Sequence, residues 1–306
     1  MKFNYLKIIW LFFYLNFCHA KSILLWKIKK PKKHQNLLKI IKQLQENGFV
    51  KLTLEDIGLD VNYLNYLKKC FTRLSHNPIT DEFRDNNNVN KNYWKRLLGN
   101  SNILLSLDYL EIVLNKNLLF IINSYLSCYS QLLEFNFWHN EQSIKPNPIA
   151  SQLWHRDTII THSGKFSKST RSIVKVFIFL SDVGPKTGNF HYVTQSNKRN
   201  PAIKLEPKTI EISGAIRYSD QQIINTFGSE ALNIIEGPPG TILIFDAAGL
   251  HKGGHILEGE RQIFKMEFGS WLWVKPPYPK LVVNSKKEIY KYCNYHQRQA
   301  LISILR

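Results

Sequence analysis

The run RSIVKVFIFL, Arg171 to Leu180, constrains the fold more than any other stretch of this chain. It is apolar on both faces and rich in β-branched and aromatic residues, which is the pattern of a strand in a sheet core. Similar signals follow it. SDVGPKTGNFHYV reads as a strand, a Gly/Pro loop and a return strand; GPPGTILIFD is a turn and a strand; RQIFKMEFGSWLW is another strand. Upstream, LLEFNFWHN alternates Leu133, Phe135 and Phe137 against Glu134, Asn136 and Trp138, as a strand does.

Before Leu133 the pattern is helical. HQNLLKIIKQLQ puts Leu37, Leu38, Ile41 and Leu44 on one helical face, stops at Asn47-Gly48 and passes into a short strand, FVKL. Leu104 to Leu133 is mostly helical, and RDNNNVNKNYW reads as a loop. The fold class is mainly β with flanking helices, a sandwich or barrel buttressed by helices. No internal repeat and no linker divides the chain, so residues 34–306 form one domain.

An apolar share of 44% with 13% aromatic residues describes a globular chain. The formal charge of +18 is uneven: the first fifty residues hold ten lysines against one acid, Glu46. The basic residues lack the arginine clusters and aromatic interleaving of a nucleic-acid platform, so the expected partner is a small molecule or lipid rather than nucleic acid. Cys18, Cys70, Cys128 and Cys293 are far apart and form no CxxC, which suits free thiols in a reducing compartment.

Residues 1–33 stand apart as an apolar and then polybasic segment. MKFNYLKIIWLFFYLNFCHA has the layout of a secretory signal, with a small residue at Ala20. KSILLWKIKKPKK follows with six lysines, and such charge stays cytoplasmic. The apolar stretch from Ile8 runs about 13 residues against the roughly 20 that span a bilayer. The expectation is a cytoplasmic protein with an interfacial helix at an anionic membrane surface. A helix buried in the fold is the second reading, and secretion ranks third.

The chemistry centres on SQLWHRDTIITH, in which His155 and Asp157 sit one residue apart. A His-x-Asp pair alone arises readily by chance. A third ligand from a late strand completes a site, and FDAAGLHKGGHILEGER offers His251 and His255. Two histidines and a carboxylate, with three positions open, are the facial triad of non-haem Fe(II) oxygenases. The open positions accept a bidentate keto-acid together with dioxygen. The far carboxylate of 2-oxoglutarate calls for a planar two-pronged cation, and Arg261 starts the next strand.

WHRD, VKVFIFLSDVGPKTGNFHYVTQSNK and GTILIFDAAGLHKGGHILEGER together resemble the phytanoyl-CoA dioxygenase family of Fe(II)/2-oxoglutarate oxygenases. The likeness runs over about residues 36 to 275, is strongest after Ser151, and includes the ENGFVKL opening step. The resemblance implies a double-stranded β-helix (jelly-roll, cupin-like) core over about residues 133–275. It also implies iron held by His155, Asp157 and His251, with 2-oxoglutarate anchored by Arg261. Family members often carry a hydroxyl residue two places after the distal histidine, where this chain has Gly253. Related halogenases replace the carboxylate by a small residue; retention of Asp157 favours hydroxylation.

His255, beyond a Gly-Gly turn and six residues before Arg261, reads as a loop histidine. His139 and Glu141 form a rival pair, read as strand-end packing. His162 and His191 are ordinary or line the pocket, and Trp154, Trp271 and Trp273 are packing residues. Asp246 either orients a ligand or caps a turn. Lys175, amid the apolar neighbours of IVKVFIF, needs an anion or a route to water; 2-oxoglutarate, the substrate or a barrel rim would satisfy it.

The expected activity is hydroxylation of an aliphatic C–H of a small or lipid-like substrate, with succinate and carbon dioxide as coproducts. The alternatives are a non-catalytic jelly-roll module holding Zn(II) or Mn(II), and a nucleic-acid demethylase of the same chemistry. Residues 75–100, 140–150, 160–170 and 200–235 are the segments expected to select the substrate. Oligomeric state has no signature in the sequence.

Overall fold

The structure, a computed structural model, describes residues 5–31, 35–76, 94–98, 103–104, 111–142, 150–157, 173–197, 217–270, 281–282, 291 and 293–302. The helices are α1 (Tyr5–Lys29), α2 (Gln35–Asn47), α3 (Val61–His76), α4 (Lys116–Leu126), α5 (Asp220–Phe227) and α6 (Tyr295–Leu301). The strands are β1 (Phe49–Leu52), β2 (Trp94–Arg96), β3 (Ile103–Leu104), β4 (Gln131–Glu141), β5 (Ile173–Phe179), β6 (Phe190–Val193), β7 (Leu232–Ile235), β8 (Ile242–Asp246), β9 (His251–Gly253), β10 (Glu260–Gly269) and β11 (Leu281–Val282).

A six-stranded sheet in the order β1-β8-β5-β10-β4-β2 faces a three-stranded sheet, β7-β6-β9; β3 and β11 pair separately. The strands of both larger sheets pair antiparallel. Phe177, Phe179, Leu243 and Phe245 from the large sheet meet Phe190, Tyr192 and Ile235 from the small one. This is the jelly-roll expected from the resemblance.

The other face of the large sheet, with Val174, Val176, Ile178, Ile244, Phe264 and Phe268, packs into one core with the helices. All seven residues of β5 are buried, so its two apolar faces serve two different layers. In α2 the buried residues are Leu37, Ile40, Ile41 and Leu44; Leu38 is only half-buried. Gly48, at φ 84°, ends that helix in a conformation that favours glycine.

Within the segment 1–33 that the sequence reading sets apart, Ser22 and Trp26 are buried against the domain. Ser22 Oγ donates to the Tyr129 carbonyl at 3.0 Å, and the Trp26 ring lies 5.3 Å from that of Tyr129. No described helix is long and apolar enough to cross a membrane. The four cysteines are free. His162, Trp271, Trp273 and most of the four segments expected to select substrate lie outside the described residues.

Candidate active site

His155 and His251 are direct backbone partners. Each amide donates to the other's carbonyl at 3.0 Å, which extends β9 by one bridge and sets the two rings 4.4 Å apart. The chain alternates sides through this bridge. Trp154 turns away, and its Nε1 donates to Asp220 at 2.6 Å, while His155 turns inward. Two residues on, the Asp157 amide donates to the Ala247 carbonyl at 3.0 Å, on the turn that leads to His251.

The histidine tautomers follow from their partners. His155 Nδ1 lies 2.8 Å from the Leu153 carbonyl, and His251 Nδ1 lies 2.9 Å from the Gly249 carbonyl. A carbonyl only accepts, so each Nδ1 carries a proton and Nε2 is the nitrogen turned toward the site. Both Nε2 atoms turn toward one carboxylate: His251 Nε2 is 3.1 Å from Asp157 Oδ2, and His155 Nε2 is 3.8 Å from Oδ1. Ligand atoms of the three residues all lie within 4.8 Å of one another, the one such group among the described residues. Two imidazoles and a carboxylate at this spacing suit a divalent transition metal.

Burial, followed by the neighbouring His251, lowers the pKa of His155 to about 3, so the ring stays neutral. Burial alone would raise the pKa of Asp157. The Lys175 ammonium, which bonds it, outweighs that and holds the carboxyl well below its usual range. Lys175 is itself held charged: Asp157 and Glu267 overcome the burial that would lower its pKa. Its location, 8% exposed inside the barrel, excludes the rim.

Two side chains hold the segments of the triad together. Asp246 accepts from the Ala248 amide at 2.9 Å, capping the turn ahead of His251, and also bonds Tyr125 and Asn197. Arg156, between the two candidate ligands, donates to the carbonyls of Ser196 and Ala248 and so ties the His-x-Asp segment to that turn. The sequence reading misses Arg156, whose partners are backbone atoms from distant segments and leave no motif.

Arg261 opens β10 across from Asn140 of β4. Its guanidinium bonds the Gly188 carbonyl and reaches Gly253, where an added Cβ would lie 3.3 Å from Nη2. Arg261 therefore stands two residues along β9 from His251. Asn140 Oδ1 is buried with no hydrogen-bond partner among the described residues. His255 lies outside the triad, in a cleft of about 350 Å³ shared with Trp154, His191 and Lys252. His139 bonds Glu260 and packs on Phe71, away from the triad.

Among solved structures, HygX from Streptomyces hygroscopicus with nickel and 2-oxoglutarate bound superposes with a TM-score of 0.55 at 17% identity, covering 80% of this chain and 90% of that one. HygX with nickel, 2-oxoglutarate and hygromycin B gives 0.53 at 16% identity, over 79% and 90% of the two chains. The epimerase SnoN, in complex with Fe3+, alpha ketoglutarate and nogalamycin RO, gives 0.50 at 11%, over 76% and 83%. At these identities the likeness is one of fold. No protein of curated function matches the chain in sequence. The family model of phytanoyl-CoA dioxygenase (PhyH) matches residues 74–260, more than half of the chain, and the protein belongs to that family.

Proposed function

We propose that this protein is an Fe(II)- and 2-oxoglutarate-dependent oxygenase that hydroxylates an aliphatic C–H of a small or lipid-like substrate. The observation that carries the reading is the convergence of the His155, Asp157 and His251 ligand atoms within 4.8 Å of one another, with each Nδ1 bonded to a carbonyl. Iron, 2-oxoglutarate and dioxygen together supply the oxidising chemistry, with succinate and carbon dioxide released. The protein supplies the surroundings. His155, Asp157 and His251 hold the metal. Arg261 takes the far carboxylate of 2-oxoglutarate in a two-pronged bond. Lys175 keeps Asp157 anionic and offers a donor to the near carboxylate. Phe190 and Phe245, with rings 5.8 and 5.1 Å from that of His251, pack against that histidine and hold its ring in place.

The test is an anaerobic titration with Fe(II) and then 2-oxoglutarate, followed by visible absorbance. A weak charge-transfer band is expected, and His251→Ala and Arg261→Ala are expected to reduce or abolish it. Iron binding without the band sinks the cosubstrate assignment and leaves a metal-binding module. In turnover, a product heavier by one oxygen atom supports hydroxylation; a product of unchanged mass points to a rearranging reaction such as epimerisation.

A further inference from the structure

Helix α1 has two faces of different fate. Phe13, Phe17, Leu24 and Ile28 are 67, 66, 58 and 68% exposed, whereas Ser22 and Trp26 are buried at 4 and 3%. At about 100° per residue the four exposed side chains fall within an arc of about 60°, and Ser22 and Trp26 lie roughly on the opposite side. The exposed stripe is about 22 Å long. It is continuous, large and apolar, which a helix facing only water does not maintain.

The fold fixes which way the stripe points. Trp26 is wedged against Phe120, Tyr129 and His296, with ring centroids 6.0, 5.3 and 6.4 Å away, and Ser22 Oγ bonds the Tyr129 carbonyl. The helix therefore cannot roll its apolar side onto the domain without losing these contacts. Lys21 and Lys27 flank the stripe on either side, both exposed. No acidic residue occurs anywhere before Glu46.

We infer that α1 seats the protein on an anionic lipid surface, with Phe13, Phe17, Leu24 and Ile28 in the acyl boundary and Lys21 and Lys27 among the headgroups. Aromatic and aliphatic side chains in one narrow arc match an interfacial helix, and flanking lysines select negative headgroups over neutral ones. Lysine stems reach upward from such a depth to keep their charge in water. The inference is independent of the proposed oxygenase activity, since it invokes neither metal nor cosubstrate.

The experiment is cosedimentation of the full chain with vesicles of phosphatidylcholine, alone or with about 30 mol% phosphatidylserine. Binding to the anionic vesicles is expected at about ten times that to the neutral ones, and to weaken as salt rises. Phe17→Glu with Ile28→Glu is expected to lower it about tenfold while the thermal midpoint stays unchanged. Lys21→Ser with Lys27→Ser is expected to remove the preference for anionic lipid and leave the fold intact. Equal binding by the glutamate variant overturns the inference. So does a concentration-dependent dimer that the same glutamates dissolve, because the stripe is then a self-association face. An intact mass showing that the chain begins at Lys21 when made in a eukaryotic cell overturns it too, as Phe13 and Phe17 are then absent.

Discussion

At the scale of single residues, the candidate site depends on which atoms are left without a backbone partner. The Nδ1 atoms of His155 and His251 each face a carbonyl two residues earlier in their own segments, so each ring turns Nε2 toward Asp157. The residue types were legible in HRD and LHKGGH. The tautomers were not, because they depend on carbonyl directions set by the bridge between the two segments. Gly253 is the departure from the family pattern that offers the sharpest test. Its φ is not in the left-handed region, and an added Cβ meets only the mobile end of Arg261, at 3.3 Å. Gly253→Ser therefore introduces a hydroxyl beside the guanidinium without backbone strain. One added hydrogen bond to the far carboxylate, worth about 1 kcal/mol, is expected to tighten 2-oxoglutarate binding about fivefold. Unchanged affinity in the anaerobic titration places that carboxylate elsewhere.

At the scale of elements, β4 and β10 invert the usual meaning of alternation. Phe135 and Phe137 of β4 pack under the helices. Glu134 and Asn136 alternate with them as a solvent face does, yet are 1 and 2% exposed. They line the barrel, across from Glu267 and Lys265 in register. Lys265 Nζ bonds Glu134 at 2.9 Å and Glu267 at 3.0 Å, a buried cluster beside Lys175. Lys265→Met is expected to cost about 3–5 kcal/mol in urea unfolding, because two buried carboxylates lose their shared cation. Replacing Glu134 by Leu as well is expected to recover part of that loss; a Lys265→Met variant as stable as the parent refutes the cluster. The strand was legible from its period, but the layer behind each face was not, since a helical layer and a barrel interior bury side chains equally. Sequence reasoning also passes over α3, although Leu64, Leu67, Phe71 and Leu74 follow the helical period and are buried there.

At the scale of the whole molecule, charge and burial set the response to pH. Burial and then the nearby Lys252 lower the pKa of His191 to about 4 from 6.5. The folded state thus favours the neutral ring. Its contribution to stability is full above about 6.5 and is lost as pH falls through about 4. Replacing His191 by Gln is expected to make the fall in thermal midpoint between these values shallower, by at most about one proton's worth of slope. A parallel pH profile for the variant contradicts that account. By itself the sequence determined a mainly β chain with flanking helices and the candidate residue types His155, Asp157 and His251, because periodicity and ligand chemistry are local properties of side chains; the jelly-roll class entered only as what the family resemblance implies. The tertiary structure alone decided three things: that the His155 and His251 rings pack together and converge on one Asp157 carboxylate, that Lys175 spends its charge on that same carboxylate, and which face of α1 is exposed. Each depends on strand register or helix docking between distant segments, and a shift of one residue in a strand turns every side chain to the opposite layer.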